Sequence, residues 1–193
     1  MNAGTLIAVV GGGCVCLLLV LLVVWGVVTY NKLVRQRNQV DAAWAQIDVQ
    51  LKRRYDLIPN LVETVKGYAA HERGTLDAVV QARNSAVGNA GANPASRAET
   101  ENMLTQTLGR LFALAEAYPN LKANENFSAL QGELANTEDK IAYARQFYNS
   151  SVQTYNTSTQ SIPTNIIAGV GGFKQKDLFE AAGGERGPVQ VRF

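Results

Sequence analysis

Two hydrophobic patterns divide the chain. From Leu6 to Val28 every residue is Leu, Ile, Val, Ala, Gly, Cys or Trp, an unbroken apolar run of 23 residues. Wound as a helix, such a run is roughly 34 Å long, enough to cross a hydrocarbon core of about 30 Å with modest tilt. Beyond it the apolar residues recur every third or fourth position. Val40, Trp44, Ile47, Leu51 and Tyr55 mark one face of a helix, and Ile58, Val62, Val65 and Ala69 continue it, followed by Leu76, Val80 and Arg83. Leu104, Leu108, Leu111, Ala115 and Tyr118 form a further stripe. Phe127, Leu130, Leu134, Ile141, Tyr148, Val152 and Tyr155 form the last. No segment alternates with period two, so the part beyond the span is expected to be all-helical.

Turn chemistry separates the stripes at Asn89–Pro94 and at Tyr118-Pro119-Asn120. Pro59 admits two readings. Asp56 could cap a new helix with Pro59 in its first turn, where a missing N–H is harmless. Alternatively the spacing runs straight through and a single helix kinks. The break is preferred, because helices ending near residues 55, 90, 118 and 160 would close an antiparallel four-helix bundle. The last stripe stops at Ser161-Ile162-Pro163. A Gly-rich tail follows, with Gly169, Gly171, Gly172, Gly183, Gly184 and Gly187, and is expected to be irregular. Ile166, Ile167, Val170, Phe173, Leu178 and Phe179 give that tail an apolar side, suited to packing on the bundle or lying on a membrane surface. The expected organisation is therefore a transmembrane anchor over 1–31, a helical bundle over 32–162 and an irregular tail over 163–193.

Charge sharpens this division. All 18 basic and 16 acidic side chains of the 193 residues lie after residue 31, and the net charge is only +2. Forty-seven per cent apolar residues exclude a disordered chain, and the small net charge gives no footing for a nucleic-acid binder. Lys32, Arg35 and Arg37 follow the apolar run at once, whereas nothing basic precedes it. The positive-inside rule then predicts a single-pass protein of the cell inner (plasma) membrane, N-terminus outside and bundle cytoplasmic. The absence of a basic n-region and the length of the run disfavour a cleaved signal peptide. Lys52, Arg53 and Arg54 extend the bias into a candidate membrane-proximal basic collar, for which a merely solvated helix face is the alternative. Trp25 and Tyr30 stand where an interfacial aromatic belt would be. Ala8, Gly11, Gly12 and Gly13 would let transmembrane helices approach closely, which favours a homo-oligomer through the span.

Candidate chemistry is sparse. Cys14, Cys16 and His71 are the only Cys and His residues, too few for a structural zinc site, and no Glu precedes His71 by three residues as a di-iron bundle would need. Both thiols fall within the apolar run, so no Cys/His nucleophilic pair is suggested. Gly169-Val-Gly-Gly-Phe-Lys174 lacks the Gly-Lys-Ser/Thr ending of a phosphate loop and follows no strand. The sequons at Asn126, Asn149 and Asn156 lie on helical stripes expected in the cytoplasm. No catalytic residue, metal or cofactor is expected. Glu138 and Arg145 lie seven residues apart on the same face as Leu134, Ile141 and Tyr148; facing a bundle core they would need ionic partners from other helices, with Arg53, Arg54, Asp48, Asp56, Glu63 and Arg83 as candidates, whereas a rotated helix would leave them at the flank in solvent. Paired, they would fix helix register.

Longer strings carry a resemblance. Tyr30-Asn-Lys-Leu-Val, Arg37-Asn38, Ala43-Trp44, Ile47 to Arg54, Asp56 to Leu61, Val65-Lys-Gly-Tyr68, His71-Glu72 and Ala82-Arg83 resemble the LemA family. Tyr118 to Ala123, Glu138, Lys140-Ile-Ala142, Arg145, Phe147-Tyr-Asn149 and Tyr155-Asn156 continue the match. The resemblance implies a bacterial membrane-anchored four-helix bundle, and partners in envelope stress or membrane-protein quality control. Two functions are thus expected: a non-enzymatic scaffold that engages a membrane-protein partner, or a homo-oligomeric membrane-shaping or lipid-binding assembly in contact with the bilayer.

Overall fold

A computed structural model describes residues 3–180, with side chains from Gly11 onward. The described residues form six helices and no strand: α1 (Ala3–Lys66), α2 (Arg73–Gly88), α3 (Pro94–Ala115), α4 (Pro119–Lys122), α5 (Glu125–Gln160) and α6 (Thr164–Val170). The all-helical expectation holds, but the helix count differs from the four expected. The side chain of Ala8 and the residues Gly183, Gly184 and Gly187 lie outside the described part of the chain. The helices contribute to two compact units. One comprises the residues up to Asp41 with Ser151–Lys176, and the other Ala42–Ser150 with the residues from Asp177.

The expected break at Pro59 is overturned, because α1 runs through it. A proline in a helix interior deprives the carbonyl four residues earlier of its N–H partner. That carbonyl belongs to Tyr55, and it accepts instead from Nε of Arg83 on α2 at 3.1 Å. A side chain 28 residues away in sequence thus replaces the amide hydrogen that proline lacks. The chain turns later, between Lys66 and Arg73, where Tyr68 and Ala69 N–H groups both donate to the Val65 carbonyl.

The other boundaries follow local chemistry. Asn93 caps α3 by accepting from the Ser96 N–H at 2.8 Å, with Pro94 in the first turn. Asn124 performs the same service for α5, accepting from the Phe127 N–H at 3.0 Å. One face assignment needs correction. On α2 the buried residues are Leu76, Val79, Ala82 and Ala86, whereas Val80 is exposed. Alanines carry half of that buried face, and an apolar-spacing argument weighted toward large residues chose the wrong valine.

In the second unit, Ile47, Leu51, Ile58, Leu61 and Val65 of α1 are buried, as are Leu104, Leu108 and Leu111 of α3 and Leu134, Ile141 and Tyr148 of α5. In the first unit the buried set is Leu33 and Val40 of α1, Val152 and Tyr155 of α5, Ala168 of α6, and Phe173.

Nor is the described part of the tail wholly irregular. α6 occupies seven residues, and Gly172 follows it at φ +69°, a left-handed conformation that glycine adopts without penalty. An extended strap, 173–180, comes next. In the first unit, Asn156 receives the Lys176 N–H at 2.9 Å and donates to the Lys176 carbonyl at 2.8 Å. In the second, Asn149 treats Phe179 alike, at 2.8 and 3.2 Å. Each asparagine amide therefore supplies the donor and acceptor that a neighbouring strand would otherwise offer.

Candidate functional site

Three features of the second unit or the first gather the polar and exposed apolar groups. The deepest is a network of charges among helices of the second unit. Arg54 on α1 is 1% exposed. Its guanidinium bonds to the Glu101 carboxylate on α3, to Glu138 on α5 at 2.7 Å and to the Thr105 hydroxyl at 2.9 Å. Thr105 in turn donates to Glu138 at 3.0 Å. The second Glu101 oxygen accepts from the Tyr55 phenol. One helical turn before Glu101, buried Arg97 pairs with Asp48 and lies 5.2 Å from the Trp44 ring centre, a cation–π contact. Burying these charges is tolerable because each finds an opposite partner, and the pairs join α1 to α3 and α5.

Several predicted positions find their place here. Glu138 joins the network with Arg54 as its partner, while Arg145 lies 5.0 Å from the Phe179 ring centre. Arg54, assigned from sequence to the lipid-facing collar, is instead a core ion. Arg53 pairs with Glu133 at 2.6 Å, and Lys52 with Asp56 at 2.8 Å. Lys32 and Arg35 are exposed in the first unit, and Arg37 stacks over Phe173 at 5.3 Å. Gly11, Gly12 and Gly13 are exposed, with no atom within 4 Å of a Cβ built on any of them. His71 is exposed in the α1–α2 turn.

Burial, then the Glu101 carboxylate, raises the pKa of Tyr55 well above the ordinary phenol value of 10.0. A folded-state pKa above the unfolded one contributes stability that is present below pH 10 and lost as pH rises through the folded value. The thermal midpoint of the protein is therefore expected to fall between pH 9 and 11. Tyr55→Phe, followed by circular dichroism over the same range, should flatten part of that slope; an unchanged slope would remove Tyr55 as its source.

The second feature is a groove of about 550 Å³ between α1 and α5, lined by Ala45, Gln46, Val49 and Gln50 on one side and Asp139, Lys140, Tyr143 and Ala144 on the other. Val49 is 63% and Tyr143 73% exposed, while Oε1 of Gln50 is buried without a hydrogen-bond partner among the described residues. The third is the apolar part of α1, long and apolar enough to cross a membrane.

The model of the LemA family matches residues 43–193. The chain belongs to the LemA family. Among LemA-related proteins, the magnetosome protein MamQ 2 of Paramagnetospirillum magneticum is 26% identical over 176 residues, which cover 78% of this chain and 64% of that protein. The magnetosome protein MamQ of Magnetospirillum gryphiswaldense is 26% identical over 175 residues, with the same coverage. The protein LemA of Metamycoplasma hominis is 27% identical over 152 residues, 79% of this chain and 67% of its own length. The chain thus spans about 64% of the length of the MamQ relatives it matches. The network falls partly on the strings that carry the LemA resemblance: Asp48, Arg54 and Glu138 are in them, and Tyr55 stands between two of them. Glu101 and Arg97 were missed, because α3 shows only a polar run there and nothing local signals that two of its charges point inward.

Proposed function

We propose that this chain is a non-enzymatic, single-pass scaffold of the inner membrane that holds a membrane-protein partner on the α1–α5 groove. The carrying observation is the groove itself: Val49 and Tyr143 present apolar surface to solvent, and Ala45 and Ala144 continue its apolar lining. Exposed apolar surface framed by polar groups is the ordinary mark of a protein-binding site. The same helix that supplies one wall carries the uncharged span, which supports anchoring of the scaffold. The buried charges support the non-enzymatic reading, since they are engaged with one another across helices. Lys32, Arg35 and Arg37 support a cytoplasmic helical domain by the positive-inside rule. Assignment of that domain as a four-helix bundle, and a role in envelope stress or membrane-protein quality control, accord with family membership.

A photo-crosslinking residue at Tyr143 of the full-length protein in cells should give one discrete adduct with a membrane protein, lost in Val49→Asp. An adduct of twice the chain mass would instead identify a second copy, and persistence of the adduct in Val49→Asp would exclude the groove.

The competing lipid-binding, homo-oligomeric assembly draws support from a different observation, the charge of the first unit. Its five basic residues, Lys32, Arg35, Arg37, Lys174 and Lys176, face a single acidic one, Asp41. Self-association through Gly11, Gly12 and Gly13 would belong to that reading.

A further inference from the structure

We propose that α6 and the turn before it form an interfacial membrane helix, with Ile162, Ile166 and Val170 seated among the acyl chains of the leaflet from which α1 emerges. The inference rests on α1 spanning the bilayer and deepens the lipid-binding reading by naming the residues that meet the lipid.

Four observations within the first unit lead there. Ile167 of α6 packs against α1 at Gly26, its Cδ1 3.8 Å from the position a Cβ would take. Gly26 belongs to the apolar run Leu6–Val28, so α6 lies at the level of the last turn of the span. Gly26 precedes Lys32, the first charge on α1, by six residues, or about 9 Å of helix. A helix lying in the interface is buried to a similar depth, roughly 5–10 Å.

Second, the side of α6 turned away from α1 is apolar and bare. Ile162 is 85%, Ile166 62% and Val170 88% exposed, whereas Ala168 is buried. Ile166 and Val170, four apart, share one side of α6, and Ile162 stands exposed in the turn before it. Third, within the first unit the segment from Ser151 to Phe173 has no charged residue, a run of 23 that ends only at Lys174. Charge resumes on both segments together, at Lys32, Arg35 and Arg37 on α1 and at Lys174 and Lys176 on the strap.

Fourth, this resumption is anchored by aromatic contacts. Phe173 meets Tyr30 edge-on, with ring centres 5.3 Å apart, and carries the Arg37 guanidinium on its face. Lys176 reaches Asp41 at 3.0 Å, which leaves Lys32, Arg35 and Lys174 exposed and basic. Apolar stripe, aromatic rim and basic flank thus follow one another in the order in which acyl chains, glycerol level and anionic headgroups occur in a leaflet. The predicted collar is accordingly redrawn: Lys174 and Lys176 belong with Lys32, Arg35 and Arg37, and Lys52, Arg53 and Arg54 do not.

The test is a spin-label scan of the full-length protein in phosphatidylcholine–phosphatidylglycerol vesicles, with Cys14 and Cys16 changed to Ala. Single cysteines replace Ile162, Ile166 and Val170 in turn, with Leu18→Cys reporting on the span. Collision with dissolved oxygen reports acyl-chain exposure, and collision with a water-soluble nickel chelate reports water. The proposal expects an oxygen-to-nickel ratio several-fold higher at Ile162, Ile166 and Val170 than at Asn165→Cys, approaching that of Leu18→Cys. Nickel-favoured labels on α6 beside an oxygen-favoured Leu18→Cys would overturn the inference and leave the anchor intact. Labels reached by neither reagent would overturn it in favour of a protein covering the stripe. A nickel-favoured Leu18→Cys would remove the anchor as well.

Discussion

Arg54→Met is expected to be the most damaging single substitution in the helical core, costing about 3–5 kcal/mol. Methionine matches the length of the side chain but leaves the Glu101 carboxylate buried with only the Tyr55 hydroxyl for company. Glu138 suffers less, because it is half-exposed and retains Thr105. The deficit has a signature in pH. An unpaired carboxylate costs more to bury than a neutral carboxylic acid, so the loss is expected to shrink on acidification. Thermal unfolding of full-length protein in detergent should thus show a gap between wild type and Arg54→Met that is widest near pH 7 and narrows toward pH 4. The triple variant Arg54→Met, Glu101→Met, Tyr55→Phe removes the stranded groups together and should recover most of the loss, since a buried ion pair gains little over apolar residues of the same size. A single variant within 1 kcal/mol of wild type at pH 7 would mean that water reaches the site and that the network does not hold the register.

The second large effect concerns Pro59. Arg83→Met is expected to cost about 1–3 kcal/mol, because the Tyr55 carbonyl then faces a proline ring with no donor. In a Pro59→Ala background the same change should cost almost nothing, since the restored N–H of residue 59 bonds to that carbonyl directly. The informative quantity is the coupling between the two sites, measured as a double-mutant cycle by thermal unfolding. Equal costs of Arg83→Met in both backgrounds would show that Arg83 contributes through packing and not through the bond.

These two cases also explain what could be read from the chain and what could not. The apolar run and the helical stripes were legible because each depends on neighbours within a few positions: Leu6–Val28 declares its length, and Val40 to Tyr55 declares a face. Pro59 misled because its remedy lies on another helix, and no local rule anticipates a guanidinium standing in for an amide. Arg54 sits in a run of three basic residues, yet only its rotation about α1 distinguishes it from Lys52 and Arg53, and the carboxylates that set its role come from α3 and α5. Asn149 and Asn156 read as polar surface until the strap they grip is in view. The uncharged stretch before Lys174 was visible throughout, but its meaning required Ile167 to be found against Gly26.

The bond between Arg83 and the Tyr55 carbonyl also sets an order of events during synthesis. Residues up to Tyr55 can coil as they emerge, but the turn across Pro59 has an unfilled acceptor until Arg83 has been made, 28 residues later. At a translation speed of roughly 5–20 residues per second that interval is on the order of a few seconds. The last turns of α1 are therefore completed by a segment that leaves the ribosome only after them, and the longest of the described helices takes the partner for its Tyr55 carbonyl from the helix that follows it.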